Sequence, residues 1–287
     1  MLSRRTFSLS LAAACLARAA NAAPLGIEPG IQLYTVADAL RADTPGTLKA
    51  LRAIGYRKVQ TAGLGRYDAR DFRKMLDDAG LTCAACHFGF GGGDNGALLE
   101  STNILGARFS GSGGLFGAVG ANAADADAAA YRRMAQLANR IGAQARRAGV
   151  TFTLHNHNME FRPFDGMTGF DLLLKETDPD LVGLEMDCGW VRVAGADPVR
   201  YLKSHPGRFP LLHIKDFQKP AQFRTAPGGP PGAPLGRGFI DYRPIFAAVS
   251  VVGGGVKHYF VEQEPPYRDF TSLEAARIGY QYLQSLG

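Results

Sequence analysis

Eight short apolar or β-branched runs, each followed by a stretch with helical spacing, constrain this chain more than any other feature. The runs are Gly30 to Thr35, Lys58 to Thr61, Thr82 to His87, Ala107 to Ser110, Thr151 to Leu154, Val182 to Met186, Pro210 to Ile214 and Tyr259 to Val261. Between them lie amphipathic segments at Pro45 to Ile54, Ala69 to Ala79, Tyr131 to Ala148, Gly169 to Thr177, Pro198 to Ser204, Tyr242 to Ala248 and Ser272 to Ser285. Strands that alternate with helices pair in parallel, because the helix carries the chain back to the end where the next strand starts. Gly55, Gly80 and Gly149 each stand between a helical stretch and the next run, a position that suits a left-handed helix C-cap. No linker or repeat divides the chain, so the pattern predicts one α/β domain over residues 23–287, closed as a (β/α)8 TIM barrel. A doubly wound sheet is the weaker alternative, since Gly91-Gly92-Gly93 lacks the spacing of a phosphate-binding GxGxxG turn.

Residues 1–22 are set apart from this pattern. Ser3-Arg4-Arg5-Thr6-Phe7, an apolar stretch from Leu9 to Ala17 and the small-x-small run Ala20-Asn21-Ala22 have the layout of a cleavable twin-arginine signal peptide. That layout predicts export to the periplasm by the twin-arginine machinery. The apolar stretch is too short to span a bilayer, so no stable membrane insertion is expected. Cys15 does not make a lipoprotein site of it, because Leu16 and Ala17 continue the apolar run. Removing Arg4, Arg5 and Arg18 lowers the formal net charge from +6 to +3, too little to predict a nucleic-acid partner. Cys83, Cys86 and Cys188 remain, an odd number scattered through apolar runs, which is not a disulfide framework.

In such a barrel the reactive groups stand at the C-terminal ends of the strands. Here strand five ends in His155-Asn156-His157 with Glu160 just beyond, and strand six in Glu185-Met186-Asp187. Strand seven ends in His213-Ile214-Lys215-Asp216, and strand eight in Glu262-Gln263-Glu264. One polar strand end is commonplace; four in succession supplying His, Asp and Glu point to a metal site. Because side chains alternate along a strand, Asp187 shares a side with Glu185, and Glu262 with Glu264, which leaves the choice within each pair open. Gly89 to Gly96 and Gln218 to Gly238 are too rich in Gly and Pro for regular structure and read as long loops over this end.

These residues carry a resemblance. The run Leu154-His155-Asn156-His157-Asn158-Met159-Glu160-Phe161, then Asp187 with Trp190, Ala194-Gly195 with Pro198, His213-Ile214-Lys215-Asp216, Gly236-x-Gly238-x-Ile240-Asp241 and Val261-Glu262-Gln263 resemble the xylose-isomerase-like barrel superfamily of sugar phosphate isomerases and epimerases. Gly30-Ile31-Gln32-Leu33-Tyr34 and His87 fit the same pattern. The resemblance implies one divalent metal ion held by Glu160, Asp187, His213 and Glu262, with Mn2+ preferred and Mg2+, Co2+ or Zn2+ as alternatives. It further implies that Glu160 and Glu262 transfer protons, aided by Lys215 and His87, while His155, His157, Trp190 and Gln32 contact the substrate. The expected reaction is isomerisation or epimerisation of a small sugar or sugar derivative, by removal of a proton beside a carbonyl through an enediolate. One departure stands out: the ketose epimerases carry a Glu at the end of strand five, where this chain has His155, so either Glu160 reaches back to the metal or His155 or His157 replaces it as the ligand. Elimination or hydrolysis of a 3-keto-glycoside on the same metal site is therefore an alternative, as is a non-catalytic sugar-binding protein.

Two competing motifs are weaker. Cys83-Ala84-Ala85-Cys86-His87 has the form of a haem-attachment CxxCH, but in a strand, cysteines three apart are expected on opposite faces. DNA-repair nucleases share the barrel, yet their three-metal cluster demands more ligands than six His can supply, and the mild charge argues against DNA.

Overall fold

The structure is a computed structural model that describes residues 23–253, 255–267 and 269–287; the expected signal peptide lies outside the described residues. The eight barrel strands are β1 (Gly30–Gln32), β2 (Lys58–Ala62), β3 (Thr82–His87), β4 (Phe109–Ser112), β5 (Thr151–His155), β6 (Val182–Asp187), β7 (Leu211–Ile214) and β8 (His258–Val261). They close in the order β1-β8-β7-β6-β5-β4-β3-β2, every pairing parallel. The helices of the outer layer are α1 (Ala37–Ala42), α2 (Thr44–Ile54), α3 (Ala69–Ala79), α4 (Gly96–Leu105), α5 (Ala128–Arg147), α6 (Gly169–Glu176), α7 (Cys188–Val193), α8 (Pro198–Ser204), α9 (Arg243–Val251) and α10 (Ser272–Gln284). None of the helices among the described residues is long and apolar enough to cross a membrane.

Local chemistry sets the boundaries. The Asp68 side chain caps the start of α3, and Gly80 ends it in the left-handed conformation at φ 69°. Thr168 with Asp171, and Thr271 with Glu274, form reciprocal capping boxes at α6 and α10. The predicted first strand is cut short: the Gln32 side chain accepts a bond from the Tyr34 N–H and turns the chain into a 3-10 helix over Leu33–Val36.

Two layers fill the barrel. Leu76, Ile141, Phe152, Leu184 and other apolar side chains pack between strands and helices in the main core. Inside the barrel, the bottom is plugged by Ala85, Leu211 and Phe260. Above that plug the same alternation turns polar, so that Leu211, His213 and Lys215, or Phe260, Glu262 and Glu264, climb one wall from floor to mouth. The bottom layer thus serves stability and the top layer carries the reactive groups.

One expectation is corrected in β3. Val59 of β2 faces Cys83 while its neighbour Gln60 faces Ala85, so the ladder is bulged at Ala84. The extra residue flips the alternation, and Cys83 and Cys86 fall on the same side, their Sγ atoms 3.6 Å apart and both buried. His87, one residue on, is thereby aimed into the barrel. The Gln218 to Gly238 stretch also holds a short ladder, Asp216–Phe217 against Gly232–Ala233. The Asp216 carboxylate pins this loop by accepting bonds from the N–H groups of Phe217, Gly236, Gly238 and Ile240.

Candidate active site

The ends of β2, β3, β5, β6, β7 and β8 bring a cluster of polar side chains together at the mouth of the barrel. His155, Asp187, His213 and Glu262 each offer a donor atom within 4.8 Å of the others, and His87, His155, Glu185 and His213 do the same in a second group that shares His155 and His213. All of these are buried except His87, which is partly open, and Glu262 keeps 9% of its surface exposed, toward the mouth. Glu160 is not in either group. It sits on the 3-10 turn Met159–Phe161, where Oε2 accepts a bond from the His157 N–H at 2.9 Å and Oε1 is buried with no partner.

The cluster is held by its own ladder of hydrogen bonds. Gln32 Nε2 donates to Gln60 Oε1 at 3.0 Å, and Gln60 Nε2 donates to Glu185 Oε1 at 2.6 Å. The His213 ring lies between Gln60 Oε1 at 2.6 Å and Glu262 Oε2 at 2.9 Å. His87 pairs with Glu185 Oε2. The Lys215 ammonium bridges Asp187 Oδ2 at 3.2 Å and Glu262 Oε2 at 2.8 Å, and reaches Glu264 as well. Its backbone is clamped in turn, since the Tyr242 hydroxyl donates to the Lys215 carbonyl and accepts from its N–H. Asp187 Oδ1 accepts the Trp190 N–H at 2.9 Å, which leaves Oδ2 turned toward Lys215 and His155.

Electrostatics decide whether these residues suit a metal ion. Of three buried carboxylates, Asp187 and Glu262 share the one obligate cation, Lys215, while Glu185 is met only by imidazoles and Gln60. Uncompensated buried negative charge is expensive, and a divalent cation is what such a site calls for. Burial opposes a charge on His213, yet Glu185 and Glu262 push it up to about 10, so a proton on this ring stands in for part of the missing positive charge. Burial pushes Asp187 up to about 6 and holds His155 down at about 4, which keeps the His155 imidazole neutral, the form that ligates a metal. Buried donors from one carboxylate-rich layer with imidazole nitrogens fit a borderline divalent ion.

The remaining predicted residues fall around this cluster. Gln32, His87, His155, His157 and Glu262 line a cavity of about 270 Å³ at the mouth, together with Glu264. Burial keeps His157 neutral, its value down at about 3. Trp190 is buried behind Lys215, whose ammonium lies 5.3 Å from the ring centroid, and it packs on Phe217. Glu185 and Glu264, the same-side partners of Asp187 and Glu262, both join the cluster, and Gln60 is the member that sequence reasoning missed. A Gln in mid-strand carries no motif, and its place level with Gln32 is set by the register of β1 and β2.

The comparisons with known proteins meet this geometry. A family model described as xylose isomerase-like TIM barrel matches residues 48–285. The chain belongs to this family. As a xylose isomerase-like barrel it is similar along 90% of its length to the crystal structure of a sugar phosphate isomerase/epimerase from Parabacteroides distasonis, with 25% identity, a TM-score of 0.72 and 94% of that chain covered. An L-ribulose 3-epimerase shares the fold at a TM-score of 0.63 and 17% identity, over 89% of this chain and 93% of that one. Among curated proteins, an inosose dehydratase from Geobacillus thermodenitrificans is 29% identical over 159 residues, 51% of this chain and 51% of that protein. The chain thus spans about half the length of the curated relatives it matches. The names of these relatives are those of sugar-processing enzymes, and a group of metal-capable side chains sits where this chain's barrel opens.

Proposed function

We propose that the chain is a divalent-metal-dependent lyase acting on a keto sugar or keto cyclitol, removing the proton beside the ketone and expelling the oxygen substituent on the next carbon. The observation that carries this reading is the composition of the mouth quartet: the β5 position is filled by His155, and Glu160, the carboxylate expected to act as a second base, is absent from it. Epimerisation through an enediolate needs proton-transfer groups on both faces of the substrate, whereas elimination can run on one carboxylate that takes the proton and returns it to the leaving oxygen, with a cation beside it to stabilise the developing charge. Glu262 and Lys215 are such a pair, at 2.8 Å. The similarity to inosose dehydratases supports the same class of chemistry.

His155, Asp187, His213 and Glu262 would hold the ion. When bound, it supplies Lewis-acid polarisation of the substrate's ketone oxygen. Lys215 and His213 both bond Glu262 Oε2, and they hold this carboxyl well below its usual range against the effect of burial. That leaves Oε1 as the oxygen to take the α-proton from carbon. The C–H pair becomes a C=C bond as the β C–O bond breaks, and the proton on Glu262 passes to the departing oxygen, so the base is regenerated. Lys215, kept protonated by Asp187, Glu262 and Glu264 despite burial, donates a hydrogen bond to the oxygen on which charge develops. Gln32, His87 and His157 line the cavity and orient hydroxyls.

Metal-loaded protein should be incubated in D2O with methyl 3-keto-glucoside and with a keto cyclitol, and the products followed by NMR. Release of methanol or water with formation of an enone is expected, and Lys215→Gln should slow it by about 10²-fold or more. A product that keeps its C–O bond and shows only inverted, deuterium-labelled carbon would replace elimination with epimerisation.

A further inference from the structure

Next to the mouth cavity lies a second cavity of about 520 Å³, formed by the turns after β1 and β2 and by the helices that follow them. The two cavities are unlike in chemistry. The mouth is lined by Gln, His and Glu side chains, whereas the second is walled by Leu33, Leu40, Leu64 and Phe72, with no carboxylate on its lining. They are joined by a common wall, since Tyr34 and Ala62 line both. Tyr34 is one of the few large apolar side chains of the described residues left exposed, at 45%. Tyr67 adds a second aromatic face, and Arg66 lies over its ring at 5.1 Å. Arg41 and Arg66 stand on the lining with no acidic counterpart there.

A hydroxyl-covered ring gains little from such a surface, because each hydroxyl taken from water needs a polar partner that these walls lack. A flat apolar group is what the cavity suits. It adjoins the polar mouth, so a ligand that fills both has a sugar at one end and an apolar group at the other. We propose that this cavity is a subsite for the aryl aglycone of the substrate, which makes the substrate class an aryl keto-glycoside with the ring over the Glu262 and Lys215 pair and the aglycone between Tyr34, Leu64 and Tyr67. This rests on the elimination reading, in which the aglycone leaves with its oxygen. The aglycone, protonated by Glu262 as it departs, then leaves as a phenol through the cavity that Arg41 and Arg66 line, and the elimination balances as written above.

The test separates binding from chemistry by using glycosides that lack the ketone and are not turned over. Calorimetry on metal-loaded protein should show phenyl β-glucoside binding about 10-fold or more tightly than methyl β-glucoside, the gain expected for placing one aromatic ring out of water. Leu40→Gln and Leu64→Gln, both on half-buried positions, should each bring that ratio below about threefold, with melting temperature and methyl glucoside affinity little changed. Equal binding of the two glucosides by the wild-type protein, or a preference that survives both substitutions, overturns the subsite. A dimer in sedimentation that Leu64→Gln dissociates also overturns it, since the cavity is then an interface between copies. If methyl 3-keto-glucoside is converted but phenyl preference is missing, the elimination stands and the subsite falls. A phenyl preference lost in the variants, with no keto substrate converted, leaves the subsite standing and sinks the reaction.

Discussion

Replacing Glu160 by Gln is expected to change how stability depends on pH, not whether the protein binds metal. The carboxyl is buried, with one oxygen on the His157 N–H and the other unpartnered. Burial therefore pushes it from 4.5 up to about 7, against the opposing pull of the backbone N–H groups of Glu160 and His157. Between these two values the folded chain keeps a proton that the unfolded chain releases. The folded state accordingly loses stability as pH rises from about 4.5 to 7, and the loss is complete above 7. At ~1.4 kcal/mol per pH unit, this single group lowers stability by about 2.5 kcal/mol between pH 5 and pH 8. Gln has the same shape, still accepts the His157 N–H and cannot ionise. Urea unfolding of both proteins at pH 5 and pH 8 should show Glu160→Gln gaining about 2.5 kcal/mol relative to wild type at the higher pH, with metal content unchanged. Parallel pH profiles for the two proteins would refute the argument, since the carboxyl would then titrate as if solvated. Loss of metal in the variant would refute its placement outside the ligand group.

Three further outcomes follow from the geometry and the sequence. His155→Asn and His213→Ala should each lose most of about one divalent ion per chain by elemental analysis, and chelation should lower the melting temperature of wild type but not of these variants, because an ion bound only by the folded state stabilises it by mass action. Gly142→Ala in α5 should destabilise by roughly 1–3 kcal/mol in calorimetry even though Ala is the better helix former, because the added Cβ would stand 2.5 Å from the backbone oxygen of Leu181; a raised melting temperature would contradict this. We propose twin-arginine export for residues 1–22: a reporter fused after Ala23 should reach the periplasm, and Arg4→Lys with Arg5→Lys should hold it inside, whereas export that survives the change points to the general secretory route.

The fold was legible because a barrel strand announces itself twice, once in its apolar run and once in the period-two rise from apolar floor to polar mouth. Leu211, His213 and Lys215 are one such column, and its order could be read before any coordinate was known. Helix α4 was harder, because Gly96–Leu105 has only weak amphipathicity and follows a Gly-rich loop. The site was legible as a set of strand ends, since His155 and Asp187 close their strands and His213 and Glu262 lie within one residue of the ends of theirs. What lay outside that pattern was the contact made by a residue several positions beyond its strand, such as Glu160.

Glu160 shows the difference most clearly. By residue type and spacing it suits a metal site as well as His155 does, and only the path of the 3-10 turn decides that its carboxyl binds the His157 backbone instead. In β3, the sequence Cys-Ala-Ala-Cys says that two thiols are three apart, but the bulge at Ala84 sets which way they point, because one extra residue reverses the alternation. The pairing of Lys215 with Asp187, Glu262 and Glu264 joins residues from three strands. Residue type and period determine which side of its own strand a group occupies. Distances between groups on different strands depend on register and closure of the whole barrel, and that is what the tertiary structure alone decides.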